Sequence, residues 1–252
     1  MSRPTLKSRL QAGEQVVGVL TRMPSEELVE MAAVAGMDYI LIDCEHGPAD
    51  QVQLRAHITA AQVHGVDVLV RVGQHETALI QRVLDLGASG VVVPHVDTAE
   101  HARAVVTATR YPPVGDRGFA TYGRAGRFGT VSAGEHLHAD ADTTLTIVMI
   151  ESRAGCASAP EILAVAGIDG VLCGPADLAI SMGLESSADP ALAAELDRIH
   201  RSVADAGRLR MDIVGGAEQV RTSLEAGASM VVVNLTHALM ALLGDLVAPR
   251  DR

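Results

Sequence analysis

The chain is nearly without lysine: its 252 residues contain one, Lys7, ahead of the first strand-like run. An enzyme that works through an imine needs a lysine amine facing the reacting carbonyl. Lys7 is poorly placed for that, so Schiff-base chemistry with a substrate or with pyridoxal phosphate is all but excluded. Cysteine is scarce as well. Cys44, Cys156 and Cys173 are odd in number and share no metal-type spacing, which argues against a disulfide framework and against a Cys-rich zinc site. Positive charge is short: 20 Lys and Arg stand against 31 Asp and Glu, a formal net charge of −11, with no basic block. Nucleic acid and anionic membrane surfaces are therefore not expected partners. No apolar run reaches the roughly 18 residues of a membrane span, and Met1–Leu10 lacks the apolar stretch of a signal peptide. A cytoplasmic enzyme is expected.

What the chain has is a repeated phrase. Ala35-Gly36-Met37-Asp38 precedes Tyr39-Ile40-Leu41-Ile42, and Leu86-Gly87-Ala88-Ser89 precedes Gly90-Val91-Val92-Val93. Ala166-Gly167-Ile168-Asp169 precedes Gly170-Val171-Leu172-Cys173, and Ala226-Gly227-Ala228-Ser229 precedes Met230-Val231-Val232-Val233. Each glycine sits where a helix should stop in a left-handed residue. Each apolar run after it is too short for a helix and rich in β-branched residues, which reads as a buried parallel strand. Val16–Val19, Val68–Val70, Leu145–Ile150 and Met211–Val214 bring the strands to eight. Between them lie helical faces such as Leu28, Met31, Ala32 and Ala35, or Leu192, Leu196, Ile199 and Val203. Strand and helix alternate along the whole length without a break, so residues 1–252 are expected to form a single α/β domain, a (β/α)8 TIM barrel. The irregular stretch Tyr111–Thr143, with Pro112, Pro113 and several glycines, is expected at the barrel mouth.

Barrel chemistry sits at the C-terminal ends of the strands, so the first polar residue after each apolar run is a candidate. These are Asp43-Cys44-Glu45-His46, Arg71, Glu151-Ser152-Arg153 and Gly174-Pro175-Ala176-Asp177, with less from Pro94-His95 and Asn234. Glu151 and Asp177 follow adjacent strands. Two carboxylates that close favour a shared proton or a divalent cation between them, and hard oxygen donors suit Mg²⁺ or Mn²⁺. The alternative is a Glu151–Arg153 ion pair with Asp177 capping a helix. Asp43 could stand behind the His46 imidazole, or His46 could be a solvent-facing loop residue. Arg71 either binds a substrate carboxylate or pairs with an acid such as Glu45 or Asp85. The Gly174–Asp177 turn aims backbone amides at the mouth.

Three blocks then carry a resemblance. They are Leu41-Ile42-Asp43-x-Glu45-His46-Gly47-Pro48; Val93-Pro94-x-Val96-Asp97-Thr98-Ala99-Glu100, leading to Ala108-Thr109-Arg110-Tyr111-Pro112-Pro113; and Ile150-Glu151-Ser152 followed by Gly174-Pro175-Ala176-Asp177-Leu178. In order and spacing the chain resembles the HpcH/HpaI aldolases, the metal-dependent class II pyruvate aldolases. The resemblance implies a barrel assembled as a hexamer, a trimer of dimers with an exchanged C-terminal helix. It implies Glu151 and Asp177 as ligands of a divalent cation (Mg²⁺, Mn²⁺ or Co²⁺), His46 oriented by Asp43 as general base, and Arg71 as the residue binding the pyruvyl group. It also implies Asp85 as an acid near the site, and amides around Ala176 and Asp177 holding the substrate carboxylate. Met149 stands where many members carry a glutamine, and Phe119–Thr143 departs from the family wording. The activity so implied is reversible cleavage of a 4-hydroxy-2-oxo acid to pyruvate and an aldehyde. Oxaloacetate decarboxylation, a CoA-thioester lyase and a non-catalytic keto-acid-binding barrel are the alternatives.

Overall fold

The structure is a computed structural model and describes residues 4–48 and 50–247. Its strands are β1 (Val16–Thr21), β2 (Tyr39–Asp43), β3 (Asp67–Arg71), β4 (Gly90–Val93), β5 (Leu145–Ile150), β6 (Gly170–Cys173), β7 (Leu209–Val214) and β8 (Met230–Asn234). All are parallel, neighbours in sequence pair in space, and β8 pairs with β1 to close the barrel. This is the (β/α)8 barrel predicted. Gly36, Gly87 and Gly167 have φ +98° and Gly227 +86°, so the repeated phrase is a helix stop in the left-handed region, as its wording implied.

Side chains alternate between two cores. Leu20, Leu41, Leu69, Val92, Ile147, Leu172, Met211 and Val232 fill the barrel, whose floor is closed by Leu6 and Leu10 of helix Leu6–Gln11. Val19, Ile40, Ile42, Val68, Val70, Val91, Val93, Val148, Ile150 and Val171 pack outward against the helices. The two-residue period of a strand then carries Asp43 inward above Leu41, Arg71 above Leu69, Met149 above Ile147 and Asn234 above Val232. Asp43 and Arg71 are register partners across β2 and β3. Strand parity thus delivers both charged side chains to one interior.

Two expectations change. Tyr111–Thr143 is not at the mouth. It joins helix Ala99–Thr109 to β5, and in this fold a helix-to-strand connection lies at the floor. There the Ala125 amide donates to the Asp85 carbonyl, Arg124 reaches the Gln62 side chain, and the Leu145 amide bonds Ser89 O. Nor is the stretch wholly irregular: Ala133–Thr143 is a helix whose Ser132 and Glu135 form a reciprocal N-terminal cap. In helix Glu26–Val34 the buried residues are Val29 and Ala32, while Met31 faces solvent. Lys7 also lies at the floor, its Nζ donating to Thr144 O at 2.9 Å and facing Asp169 at 3.2 Å. Among the described residues no helix is long and apolar enough to cross a membrane.

Candidate active site

A cavity of about 600 Å³ opens at the mouth, with Arg22, His46, Arg71, Met149, Asp177 and Asn234 in its wall. Beneath it lies Asp43, fully buried and the hub of the polar network. Its two oxygens accept from Arg71 Nε at 2.8 Å and Nη2 at 2.6 Å, a bidentate fork. Arg22 Nε lies 2.6 Å from Asp43 Oδ2, and the amides of Glu45 and His46 donate to Oδ1 at 3.2 and 3.3 Å. Burial opposes the Asp43 charge, but the Arg71 hydrogen bonds, both guanidinium charges and the His46 amide outweigh it and hold the carboxyl below its ordinary range. Arg71 mirrors this. Burial opposes its charge, and the hydrogen bonds and charge of Asp43, with Glu45 and Glu151, hold its pKa above the usual value.

The partner of Arg71 is thus Asp43, with Glu45 Oε2 at 3.4 Å, and not Asp85. Among the described residues its Nη1 has only the sulfur of Met149, at 4.0 Å, as a hydrogen-bond partner. A thioether is a weak acceptor, so this donor is available to a ligand in the cavity. Asp43 also does not stand behind the His46 imidazole. It holds the His46 backbone amide, because its acceptor sites are taken by two guanidiniums and two amides. The carboxylate beside the ring is Glu45, whose Oε2 lies 3.8 Å from Nε2, and the His46 side chain is 60% exposed toward the mouth. Asp85 ends helix Thr77–Asp85, which places it at the floor, where it binds Arg117 Nη2 at 2.7 Å. The structure does not bring it to the other candidates.

Glu151 follows β5 and is buried. Its Oε1 accepts the His95 amide at 2.8 Å and lies 3.1 Å from His95 Nδ1. Its partner is therefore His95 and not Arg153. Burial raises the Glu151 pKa, the charges of Asp177 and Glu45 add to the rise, and the His95 amide and ring oppose it. Asp177 lies in the first turn of helix Pro175–Ser181, which the extended Gly174 precedes at the cap position, with no side-chain cap; Asp177 is thus free of the capping role. A Cβ on Gly174 would stand 2.5 Å from Glu151 Oε2, so only glycine leaves that oxygen its place. The Ala176 and Asp177 amides, at a helix start without intrahelical acceptors, border the same cavity.

Asp43, Glu45, Glu151 and Asp177 outnumber Arg22 and Arg71 at this mouth, a formal excess of two carboxylates over guanidiniums. A divalent cation fits that excess, and the donors are hard oxygens. Among the described residues no group of three or more His, Cys, Asp or Glu is arranged to hold a metal. The carboxylates that could do so are the pair Glu151 and Asp177. One or two carboxylates, with water and substrate oxygens completing an octahedron, is the usual mode for Mg²⁺-like ions. Arg22 was not singled out from sequence, and Pro94-His95 was given less weight than the other strand ends. Arg22 follows Thr21, the first polar residue of its apolar run and the last of β1, yet strand parity two residues beyond Leu20 would have pointed it inward. His95 stands at φ +54°, and nothing local in Pro94-His95 signals that.

The HpcH/HpaI aldolase/citrate lyase family model matches residues 19–241. The chain is 36% identical over 248 residues to the hydroxypyruvate/pyruvate aldolase of Roseobacter denitrificans, covering 98% of this chain and 96% of that one. It is 35% identical over 241 residues to the 2-keto-3-deoxy-L-rhamnonate aldolase of Escherichia coli, covering 95% and 89%. A crystal structure of an HpcH/HpaI aldolase from Desulfitobacterium hafniense superposes with a TM-score of 0.89 at 28% identity, covering 98% of each chain.

Proposed function

The chain belongs to the HpcH/HpaI aldolase/citrate lyase family, and from that premise we propose that it is a class II aldolase interconverting a 4-hydroxy-2-oxo acid with pyruvate, or a related 2-oxo acid such as hydroxypyruvate, and an aldehyde. Aldolases of this class depend on a divalent metal ion. Here Glu151 and Asp177 would hold Mg²⁺, Mn²⁺ or Co²⁺. When bound, the ion supplies Lewis-acid stabilisation of the negative charge that develops on the 2-oxo oxygen of the substrate.

The remaining work falls to the chain's own side chains. Arg71 offers Nη1 to the pyruvyl group and adds a positive charge that burial beside Asp43 keeps in place. The Ala176 and Asp177 amides receive the 1-carboxylate, and Gly174 keeps the approach open. His46 takes a proton from the methyl carbon of pyruvate, and Glu45 beside it stabilises the imidazolium. The resulting carbanion attacks the aldehyde carbon, and the His46 imidazolium returns its proton to the C4 alkoxide that forms. In cleavage, His46 removes the C4 hydroxyl proton, the C3–C4 bond breaks with its electron pair passing to C3, and His46 gives the proton back to C3. Asp43 is a positioning residue that acts by holding Arg71 and Arg22. Asp85 has no step within this chain.

The observation that carries this reading is the convergence on one mouth of Arg71 with an available donor, the Glu151–Asp177 pair and the exposed His46 imidazole. The two arginines there both lean on Asp43, so the mouth offers no basic patch for the phosphates of a CoA ester. The test is a panel of aldehydes offered with pyruvate or hydroxypyruvate and Mg²⁺, followed by mass spectrometry of the adducts. EDTA should abolish adduct formation and Mg²⁺, Mn²⁺ or Co²⁺ should restore it; full activity in chelator contradicts the reading.

The assembly is part of the proposal. Met240, Leu242, Leu243 and Leu246 of helix Leu235–Val247 are exposed, which supports packing of this helix on a neighbouring copy in a hexamer. Free cysteines at all three positions are in keeping with a cytoplasmic enzyme.

A further inference from the structure

His95 stands two residues past the end of β4, in the left-handed region, at φ +54°. A side-chain-bearing residue rarely adopts that backbone unless its surroundings hold it there, and such residues cluster at functional sites. Here the unusual backbone has a visible result. It turns the amide and the imidazole of one residue onto one atom: Glu151 Oε1 receives the His95 amide at 2.8 Å and Nδ1 at 3.1 Å. The far side of the ring faces another carboxylate, with Nε2 3.6 Å from Glu45 Oε1. Glu45 in turn reaches Arg71 Nε at 3.4 Å and His46 Nε2 at 3.8 Å. The ring therefore joins the buried Glu151 to the acid that stands between the arginine and the exposed histidine.

We propose that His95 is a positioning residue: by engaging Oε1 through both its amide and Nδ1, it holds the Glu151 carboxylate in the one orientation that turns Oε2 toward Gly174 and the cation. The inference rests on the cation site proposed above and goes beyond it. A carboxylate free to rotate spends part of its time with the wrong oxygen, or neither, facing the ion. Groups that orient a metal ligand from behind are typically worth about 10- to 100-fold in affinity. The left-handed backbone is what that orientation requires, since an extended residue 95 would carry its amide away from Glu151.

The test is binding of Mn²⁺ alone, read from the free-ion electron paramagnetic resonance signal, for the full-length wild type and four variants. His95→Gly accepts the left-handed backbone and keeps the amide but loses the ring, and its Kd for Mn²⁺ should rise about 10- to 100-fold while its Tm is unchanged or higher. His95→Asn also tolerates this backbone and places an amide nitrogen near the position of Nδ1, so it should recover most of the affinity. His95→Gln places its nitrogen nearer Nε2, toward Glu45, and should not. Glu151→Gln is the reference for the site itself and should bind more weakly than any of them. A glycine variant that binds Mn²⁺ as tightly as wild type, while Glu151→Gln does not, overturns the role of His95 alone. So does rescue by glutamine in place of asparagine. Wild-type affinity in Glu151→Gln overturns the cation site, and the inference with it.

Discussion

Replacing Asp43 with asparagine removes the one charge that two guanidiniums share. Asp43 is fully buried, Arg71 is 5% exposed, and the fork between them is short at both contacts, with Arg22 adding a third at 2.6 Å. Asparagine keeps the shape and one acceptor, so the cost comes from the lost charge behind Arg71, whose other carboxylate, Glu45, lies farther off at 3.4 Å, and not from a cavity. Breaking a buried ion pair by removing one partner costs about 3–5 kcal/mol. For a chain of this size each kcal/mol moves Tm by roughly 2–4 °C, so the variant should melt on the order of 6–20 °C lower at pH 7. The pH dependence fixes the sign. The folded-state pKa of Asp43 lies below its ordinary value of 3.8, so its contribution is complete above about pH 4–5 and disappears as pH falls through the folded value. The gap between wild type and Asp43→Asn, measured by calorimetry from pH 7 downward, should therefore hold steady and then close in acid. A gap under about 1 kcal/mol at pH 7, the size expected of a solvent-screened pair, would refute the hub role given to Asp43.

Other consequences can be checked in parallel. Gly174→Ala, at an extended residue whose backbone alanine accepts, should displace Glu151 Oε2 and weaken Mn²⁺ binding at least tenfold, with the far-ultraviolet circular dichroism unchanged. Arg71→Lys keeps the charge but loses the planar fork, and should lower kcat/KM for 2-oxo acid cleavage by about 100-fold, the order seen when one transition-state donor is lost. His57 is buried with no hydrogen-bond partner on either ring nitrogen among the described residues, and burial, opposed by Glu26, lowers its pKa from 6.5. The unfolded chain thus binds a proton there first, so wild-type stability should fall as pH drops below about 6.5. His57→Leu should flatten that slope in urea titrations at pH 7, 6 and 5; an unchanged slope assigns it to other groups.

The barrel was readable because its grammar is local. A glycine stop followed by a β-branched run needs no knowledge of distant residues, and the four repeated phrases all became a left-handed helix end and a strand. The mouth was readable in outline for the same reason, since the residue that ends a strand must lie at its end. What sequence order did not carry was pairing. Arg71 binds Asp43 because β2 and β3 are neighbours in register, a relation between residues 28 apart. Glu151 takes its orientation from His95 across the β4–β5 gap. Asp85 and Tyr111–Thr143 went to the floor because a barrel sends its strand-to-helix and helix-to-strand connections to opposite ends. Chain direction alone would have told the two apart.

The central proposal is that Glu151 and Asp177 hold a divalent ion beside Arg71 and His46, so that pyruvate gives up a methyl proton. Deuterium exchange at that methyl group, followed by proton NMR in D₂O with no aldehyde present, tests this directly. The wild type with Mg²⁺ should exchange. Chelator, Glu151→Gln and Asp177→Asn should each stop the exchange, and His46→Ala should slow it by about 100-fold or more. Exchange at the wild-type rate in chelator, or in either carboxylate variant, would contradict the account.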